Sequence, residues 1–424
     1  MRAVRILLAA FAVIFFFSVL QSRAQIEKDG GALLYQQQLN SFTEEEISIL
    51  QSLWIGSLPR LPEDPSNAFF DNPRAVQFGK KLFSDVRFSA NNKISCASCH
   101  KAEVTFTDNE PLAIGISTST RRSMPIVGLA YFKWFFWDGR ADSLWAQALE
   151  PFENPAEHGI TRCRVVLLII EHYRKEYEEV FGPLPAVTEK NCPRKATPVL
   201  DAPVSRKLWD GMTPGDREAV NRVFSNTGKA IAAFERLIVP TPSRFDQYVE
   251  ALLQGDSKKM KALLGPDEIE GMRLFIGKGK CVECHSTPLF ADDDFHIVKV
   301  PGRSGVPFDK GRAEGIEKVL ADEFNCYGKY SDAEPKNCLA LNTIEADTEK
   351  YIGAFKTPIL RNVAERPPYM HAGQFKTIAK VLAFYQYPFD FHLEFDLGHA
   401  TLTDKELEQI EAFLHTLSSP LSFP

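Results

Sequence analysis

The sequence lacks three features that would assign it to common classes of protein. After residue 20 it contains no apolar run of the length that a membrane-spanning helix needs. It has no excess of positive charge, because 49 Lys and Arg face 55 Asp and Glu, and the net charge of -6 argues against a nucleic-acid partner. Regular alternation of Val, Ile and Thr is sparse, which argues against a fold built from sheets.

The start of the chain has the layout of a signal peptide. A charged segment from Met1 to Arg5 precedes an apolar run over residues 6–20, and Ala24 ends a small-residue cleavage site. We predict that residues 1–24 are removed and that the mature protein is exported to the periplasm without a membrane segment. An uncleaved membrane anchor is the alternative, since the run is long for a signal peptide but shorter than the roughly twenty residues of a span.

Half of the eight cysteines belong to a repeated motif, Cys-x-x-Cys-His. The two copies are Cys96-Ala-Ser-Cys99-His100 and Cys281-Val-Glu-Cys284-His285. This spacing is the signature of c-type haem attachment, in which both thiols form thioethers and the imidazole reaches the iron. We therefore predict two covalent haems, with His100 and His285 as the proximal ligands of the first and second iron. A zinc ribbon or a thioredoxin-like redox pair is the alternative, but neither needs the histidine in both copies.

The other four cysteines form two neighbouring pairs along the chain. We predict the disulfides Cys163–Cys192 and Cys326–Cys338, which suit an oxidising compartment, while the other pairings stay open. Each closes a modest loop and would contribute about 3 kcal/mol by the chain-entropy account. The second bond would pin a surface excursion over residues 300–350, which is rich in Gly, Asp and Lys.

The two halves of the sequence repeat the same order of segments. Gly79–Phe83 precedes the first motif as Gly271–Phe275 precedes the second, and Phe106–Asp108 follows the first as Phe290–Asp292 follows the second. Self-similarity of this kind indicates two related domains.

Helical periodicity accounts for most of the remaining pattern. Apolar residues recur with the helical period over 216–239, 266–276, 376–385 and 403–416. We predict a mainly α fold with two c-type cytochrome-like haem domains, related by an internal repeat and joined by long loops. The expected units are an N-terminal extension, an N-terminal haem domain and a C-terminal haem domain, over residues 25–65, 66–245 and 246–424.

The repeat also allows equivalent positions of the two haem sites to be compared. Twelve residues after Gly139 the first half has Pro151, and twelve residues after Gly373 the second half has Tyr385. If these positions face equivalent sides of the haems, one iron has no ligand there and the other has a phenol. Alternatives for Tyr385 are a core tyrosine or a rival ligand, and the candidate rivals are Met272, Met370 and His371.

In these residues, the chain resembles the bacterial di-haem cytochrome c peroxidases and their relative MauG, the di-haem enzyme of methylamine-dehydrogenase maturation. The likeness runs from about residue 68 to 418. Besides the haem motifs and Phe106–Asp108, its most specific segments are Trp137–Arg140 with Gln147, Pro151 and Glu157, then Phe355–Asn362 and Pro368–Gly373.

The resemblance implies a role for each residue around the first haem. Gln147, Pro151 and Glu157 would line the pocket that meets peroxide, and Trp137 would lie between the haems. Glu157 would be the acid–base group, with a pKa raised by burial; an acid at a helix N-terminus after Asn154 is its alternative. Between Lys101 and Met124 the chain has no histidine to cap the first iron, which implies an open site.

The resemblance also implies ligands around the second haem. Its distal ligand falls on Tyr385, where the peroxidases generally place methionine and MauG places tyrosine. One calcium ion would lie between the haems, bound by the carbonyls of Arg366 and Pro368. The asparagine that the family usually places beside Arg122 is Ser123 here.

Three functions follow as hypotheses. The first is an exported enzyme that reduces hydrogen peroxide at the N-terminal haem through high-valent iron, with electrons passing through the C-terminal haem from a cytochrome c or cupredoxin. The second is MauG-like oxidation of side chains in a partner protein. The third is a non-enzymatic di-haem electron carrier, which would need ligands at both irons, and Pro151 argues against it.

Overall fold

The computed structural model describes residues 41–199, 202–345, 347–386 and 402–424. The signal peptide predicted over residues 1–24 and the first part of the extension lie outside the described residues. Within the described ranges, no helix has the length and apolarity to cross a membrane.

Helices dominate the described part of the chain, which confirms the mainly α fold class. They are α1 Glu44–Leu53, α2 Pro73–Ser84, α3 Cys96–Cys99, α4 Leu144–Glu153, α5 Arg162–His172, α6 Arg174–Phe181, α7 Pro203–Asp210, α8 Pro214–Glu235, α9 Arg244–Leu253, α10 Ser257–Leu263, α11 Pro266–Ile276, α12 Arg312–Ala321, α13 Leu339–Asn342, α14 Ile378–Gln386 and α15 Asp404–His415. Four of them, α8, α11, α14 and α15, lie at the predicted helical segments with ends that differ by at most a few residues.

The strands are short and join distant parts of the chain. Strands β1 Val239–Pro240 and β4 Leu421–Ser422 form one antiparallel pair, and β2 Phe295–His296 and β3 Phe355–Lys356 form another. The first pair fastens the C-terminal end to the segment that follows α8.

The helix that precedes each Cys-x-x-Cys-His motif packs against a long partner helix in the same manner. Helix α2 crosses α8 and α11 crosses α15. A Cβ at Gly79 would lie 1.8 Å from the carbonyl oxygen of Ala230, and a Cβ at Gly271 would lie 1.8 Å from that of Gln409. Both glycines are therefore required by a direct backbone contact, and the predicted repeat is present in the packing.

Two separate hydrophobic cores support these helix pairs. The first surrounds α2, α4, α5 and α8, and the second surrounds α9, α11 and α15. Helix α1 also belongs to the second core, where Leu50 and Leu53 are fully buried. The extension predicted over 25–65 showed no core pattern because α1 is only 10 residues long and presents few apolar positions.

Both predicted disulfides are present, Cys163–Cys192 and Cys326–Cys338. The segment over residues 300–350, which contains the Cys326–Cys338 disulfide, also contributes side chains to the first core. Phe324 and Tyr330 are buried in the first core. The guanidinium of Arg162 lies over the rings of both Phe324 and Phe224. The aromatic residues of the segment are few, so its polar composition concealed this packing.

Alanine at Gly79 or Gly271 should destabilise the protein by about 1–3 kcal/mol or more, because the new methyl group meets backbone that cannot move aside. Thermal or denaturant unfolding of the holoprotein measures the effect. Gly215→Ala in α8 is the matched control, since its Cβ would meet only Thr213 Oγ1 at 3.9 Å. Equal stability of all three variants would contradict the assigned contacts.

Candidate active site

The first Cys-x-x-Cys-His motif forms one helical turn closed by its histidine. Helix α3 spans Cys96–Cys99, and the side chains of Ser95 and Ser98 cap its start. His100 follows at the end of the turn, and its N–H donates to the Cys96 carbonyl at 2.9 Å. The two thiols and the imidazole are thereby grouped on a single turn.

The imidazoles of both motifs are held in the same way. His100 Nδ1 lies 3.1 Å from the carbonyl of Phe106, and His285 Nδ1 lies 2.6 Å from the carbonyl of Phe290. A carbonyl only accepts, so Nδ1 carries the proton and Nε2 is the nitrogen left to bind a metal. Burial lowers the pKa of both histidines, which keeps them in the neutral form that binds iron.

The cysteines of the motifs suit thioether attachment better than redox exchange. All four are unbridged and half-buried. Burial raises the pKa of Cys99 to about 11 and that of Cys281 to about 12, whereas a redox-active pair needs a lowered thiol pKa. Cys284 also lies with Asp292 and His296 in a group that could hold a metal ion, but thioether formation would use the same sulfur.

A cavity of about 360 Å³ adjoins the first motif and receives the residues predicted to line a peroxide pocket. His100, Trp137, Gln147, Pro151 and Glu157 all line it. Gln147 and Pro151 are four residues apart on α4 and so share one helix face. The Oε1 atom of Gln147 is buried and has no hydrogen-bond partner among the described residues, which leaves it available to a bound molecule.

Glu157 lies in this cavity, held by the turn that ends α4. Asn154 caps the helix and donates from its side-chain amide to Glu157 Oε1 at 2.7 Å. Burial, and after it the charge of Glu150, raises the pKa of Glu157 to about 7, although Arg140 and Asn154 act in the opposite direction. A carboxyl group with this pKa is populated in both protonation states near neutral pH.

Charged residues with no role assigned from the sequence complete the cavity. Arg140 binds Glu150 with Nε at 2.7 Å and Asp138 with Nη1 at 3.1 Å. Haem carries two propionates that cationic groups can bind, and the wall has five such side chains, four of them also paired with carboxylates of the chain. The five are Arg121, Arg122, Arg140, Lys318 and Lys356. The cavity walls therefore fit a haem, and the Trp137–Arg140 segment was the only sequence clue to this wall.

Trp137 is buried between the two halves of the chain. Its Nε1 donates to the Arg122 carbonyl at 3.1 Å, and its own carbonyl accepts from the N–H of Lys356 at 2.9 Å. One bond reaches the loop after the first motif and the other reaches β3 in the second half. The indole is thus fixed between the two halves of the chain.

Tyr385 lies near the second motif at the end of α14. Burial raises the pKa of its phenol, and the nearby thiols of Cys284 and Cys281 add to the rise. The residue is 43% exposed, and its ring contacts Phe384 at 5.4 Å between centroids. The hydroxyl is therefore placed in the surroundings of the second motif.

The rival ligands have other contacts. Met272 is fully buried in the second core. His371 stacks on Phe355 at 3.9 Å between ring centroids, and its Nε2 accepts from the amide of Gln374 at 3.2 Å. Met370 has a left-handed backbone in a turn, and no described contact points it to the motif.

Comparison with known proteins accords with this arrangement. The profile of the family described as Di-haem cytochrome c peroxidase matches residues 73–254. Methylamine utilization protein MauG of Methylorubrum extorquens is 30% identical over 351 residues, covering 82% of this chain and 79% of that protein. Cytochrome c551 peroxidase of Pseudomonas aeruginosa is 29% identical over 352 residues, covering 81% and 78%.

The chain belongs to the di-haem cytochrome c peroxidase and MauG family.

Solved structures agree with this fold. The diheme peroxidase BthA of Burkholderia thailandensis has a TM-score of 0.60 at 21% identity, with 84% of this chain and 89% of that chain covered. A MauG-like protein associated with microbial copper homeostasis has a TM-score of 0.54 at 24% identity, covering 86% and 95%.

Membership of the di-haem cytochrome c peroxidase and MauG family makes the chain an enzyme with two c-type haems. It removes the hypothesis of a non-enzymatic carrier.

The family's calcium ion does not fit the residues present. The Arg366 carbonyl accepts from Nη1 of Arg122 at 3.1 Å, and the Ser123 hydroxyl donates to Asp108 at 2.9 Å. The calcium predicted at Arg366 and Pro368 would have to displace a buried guanidinium.

Removing one pair of motif cysteines should remove one covalent haem. Cys96→Ala/Cys99→Ala should lower the haem count from two to one per chain, because no thioether can form at that site. Intact-mass spectrometry of the denatured protein gives the count. Cys326→Ser/Cys338→Ser should keep both haems. An unchanged haem mass, or a zinc ion bound at Cys284, Asp292 and His296, would contradict the assignment.

Proposed function

We propose that this enzyme reduces hydrogen peroxide at the haem held by His100, with electrons delivered through the haem held by His285. The observation that carries the proposal is the cavity beside His100, which contains Glu157 with a pKa of about 7. Bound in the cavity, the haem would supply the iron that exchanges electrons with peroxide.

Glu157 would move the proton that cleavage of the O–O bond requires. As a carboxylate it takes a proton from the near oxygen of peroxide, and as a carboxylic acid it returns that proton to the far oxygen, which leaves as water. The side chain can serve both steps because its pKa is close to neutral. The Asn154 amide orients the carboxylate by its bond to Oε1.

Gln147 and Pro151 would complete the pocket without binding the iron. Gln147 offers a buried Oε1 that can accept a hydrogen bond from peroxide. Pro151 has no side-chain donor or acceptor and no N–H, so it would offer no ligand to a bound iron.

Trp137 would connect the two haems electronically. It is buried at the interface and bonded to both halves, through Arg122 and Lys356. The electron donor in this scheme is a small redox protein, a cytochrome c or a cupredoxin, that meets the enzyme in the periplasm after export. Peroxide would then receive two electrons and two protons and yield two water molecules.

A second candidate function is oxidation of side chains in a partner protein with peroxide as oxidant. The observation that favours it is the position of Tyr385 beside the thiols of Cys281 and Cys284. A tyrosinate ligand lowers the potential of a haem, whereas methionine raises it and favours entry of electrons. Tyr385 as a ligand would therefore favour storage of oxidising equivalents over acceptance of donor electrons.

Glu157→Gln should lower peroxide turnover by about 10²–10⁴, since the amide cannot transfer the proton. Steady-state assays with a reduced cytochrome c test this, with haem content measured beside them. In wild type, activity should rise with pH as Glu157 loses its proton. Glu150→Gln should move this rise to lower pH, because Glu150 raises the pKa of Glu157. Unchanged turnover in Glu157→Gln would refute the proposal.

Tyr385→Phe should alter the electron paramagnetic resonance signal of one low-spin ferric haem and leave a high-spin signal unchanged. The optical change that stoichiometric peroxide produces should also decay faster, if the phenol is the ligand. Tyr369→Phe is the control, a tyrosine of the same half whose hydroxyl donates to the Val363 carbonyl. Identical spectra for wild type and Tyr385→Phe would assign the ligand to another residue and favour the cytochrome-dependent function.

A further inference from the structure

Arg122 lies at the junction of the two halves and is 8% exposed. Its N–H donates to the His371 carbonyl at 2.9 Å, and its carbonyl accepts from Trp137 Nε1 at 3.1 Å. The backbone of Arg122, in the first half of the chain, is therefore bonded both to His371 in the second half and to the indole of Trp137.

The guanidinium of Arg122 makes a further bond between the halves. Its Nη1 donates to the Arg366 carbonyl at 3.1 Å, and its Nη2 lies 3.5 Å from Thr107 Oγ1. The Arg366 carbonyl is one of the two oxygen atoms that resemblance to the family assigns to calcium. The position near this oxygen is thus taken by a cation that belongs to the chain.

The surrounding groups do not form a calcium site. Calcium binds six to eight oxygen atoms, commonly with several carboxylates. Here Ser123 stands where the family has asparagine, and its hydroxyl is committed to Asp108, a carboxylate that also attracts the charge of Arg122. The Arg366 carbonyl and the side chain at position 123, both expected as calcium ligands, are therefore already engaged within the chain.

A second buried cation strengthens this conclusion. The Arg366 guanidinium is bound to the carbonyls of Ile359, Arg361 and Asn362. Burial, and after it the charge of Arg122, lowers the pKa of Arg366 to about 9. A divalent ion would have to enter beside two buried positive charges, where charge repulsion is poorly screened.

We propose that the guanidinium of Arg122 replaces the family's calcium ion, so that this enzyme joins its two haem domains through a side-chain cation and requires no calcium. The positive charge remains beside Trp137 between the haems, but it is supplied by the chain. The inference rests on family membership and on the contacts of Arg122, and it holds for either candidate function.

The metal content of the holoprotein is the first test. The protein is equilibrated with calcium chloride, passed into calcium-free buffer and analysed by mass spectrometry of the elements. We expect no stoichiometric calcium, and we expect the ferric spectra and peroxide turnover to be unchanged by EGTA. One calcium ion per chain, with spectra or turnover that change on its removal, would overturn the proposal.

Variants at Arg122 test the role of its charge. Arg122→Gln keeps an amide donor but loses the charge, so the midpoint potentials of the haems should shift downward in a redox titration. Arg122→Lys should retain the wild-type potentials. Arg303→Gln is the matched control, because Arg303 also binds backbone carbonyls, those of Ala372 and Gly373. Its potentials should shift less than those of Arg122→Gln, because no described contact joins Arg303 to Trp137 or to the Arg366 carbonyl.

The double variant Arg122→Gln/Ser123→Asn restores the family's asparagine and frees the Arg366 carbonyl. We expect it to bind calcium, up to one ion per chain, where wild type binds none. Potentials in Arg122→Gln equal to those of wild type would overturn the proposal. If Arg122→Gln does not fold, the wild-type metal content and Arg122→Lys still decide the question.

Discussion

Both haem sites depend on the same kind of hydrogen bond, which runs from the Nδ1 of a half-buried imidazole to the carbonyl of a phenylalanine. The phenylalanines, Phe106 and Phe290, each have a left-handed backbone with φ of 56°, and this turn brings the chain back over the preceding histidine. Without the bond, either ring nitrogen could carry the proton. With it, the tautomer and the ring orientation are set before a metal binds.

The same two phenylalanines connect each site to a hydrophobic core. Phe106 is buried in the first core and Phe290 in the second, where it packs on Phe245 and Phe275. The position of each imidazole therefore depends on helices that are distant in sequence. The close contacts at Gly79 and Gly271 matter to the sites for this reason, since they set how near the helix before each motif lies to its partner.

Local patterns predicted most of the fold and much of the site. The repeat, the disulfides and the longer helices are encoded by residues close in sequence, and the structure agrees with them. The residues predicted for the first pocket lie around one cavity. The contacts between the halves were not predictable in this way. That Arg122 reaches the Arg366 carbonyl depends on two loops from different domains meeting at one point, and no periodicity or spacing records this. Helix α1 was missed because it is short, and the burial of Phe324 because its neighbours are polar.

The burial of the motif thiols constrains the order in which the protein is assembled. In the folded chain the pKa of Cys99 is about 11 and that of Cys281 about 12, so few of these sulfurs are thiolates and they react slowly. Porphyrin would therefore be joined faster to an open chain, in which these half-buried sulfurs are exposed, than to the folded one. The folded chain also contains the disulfides Cys163–Cys192 and Cys326–Cys338, which form by oxidation. Early attachment of porphyrin would also keep the motif sulfurs from joining the wrong disulfide partners during oxidation.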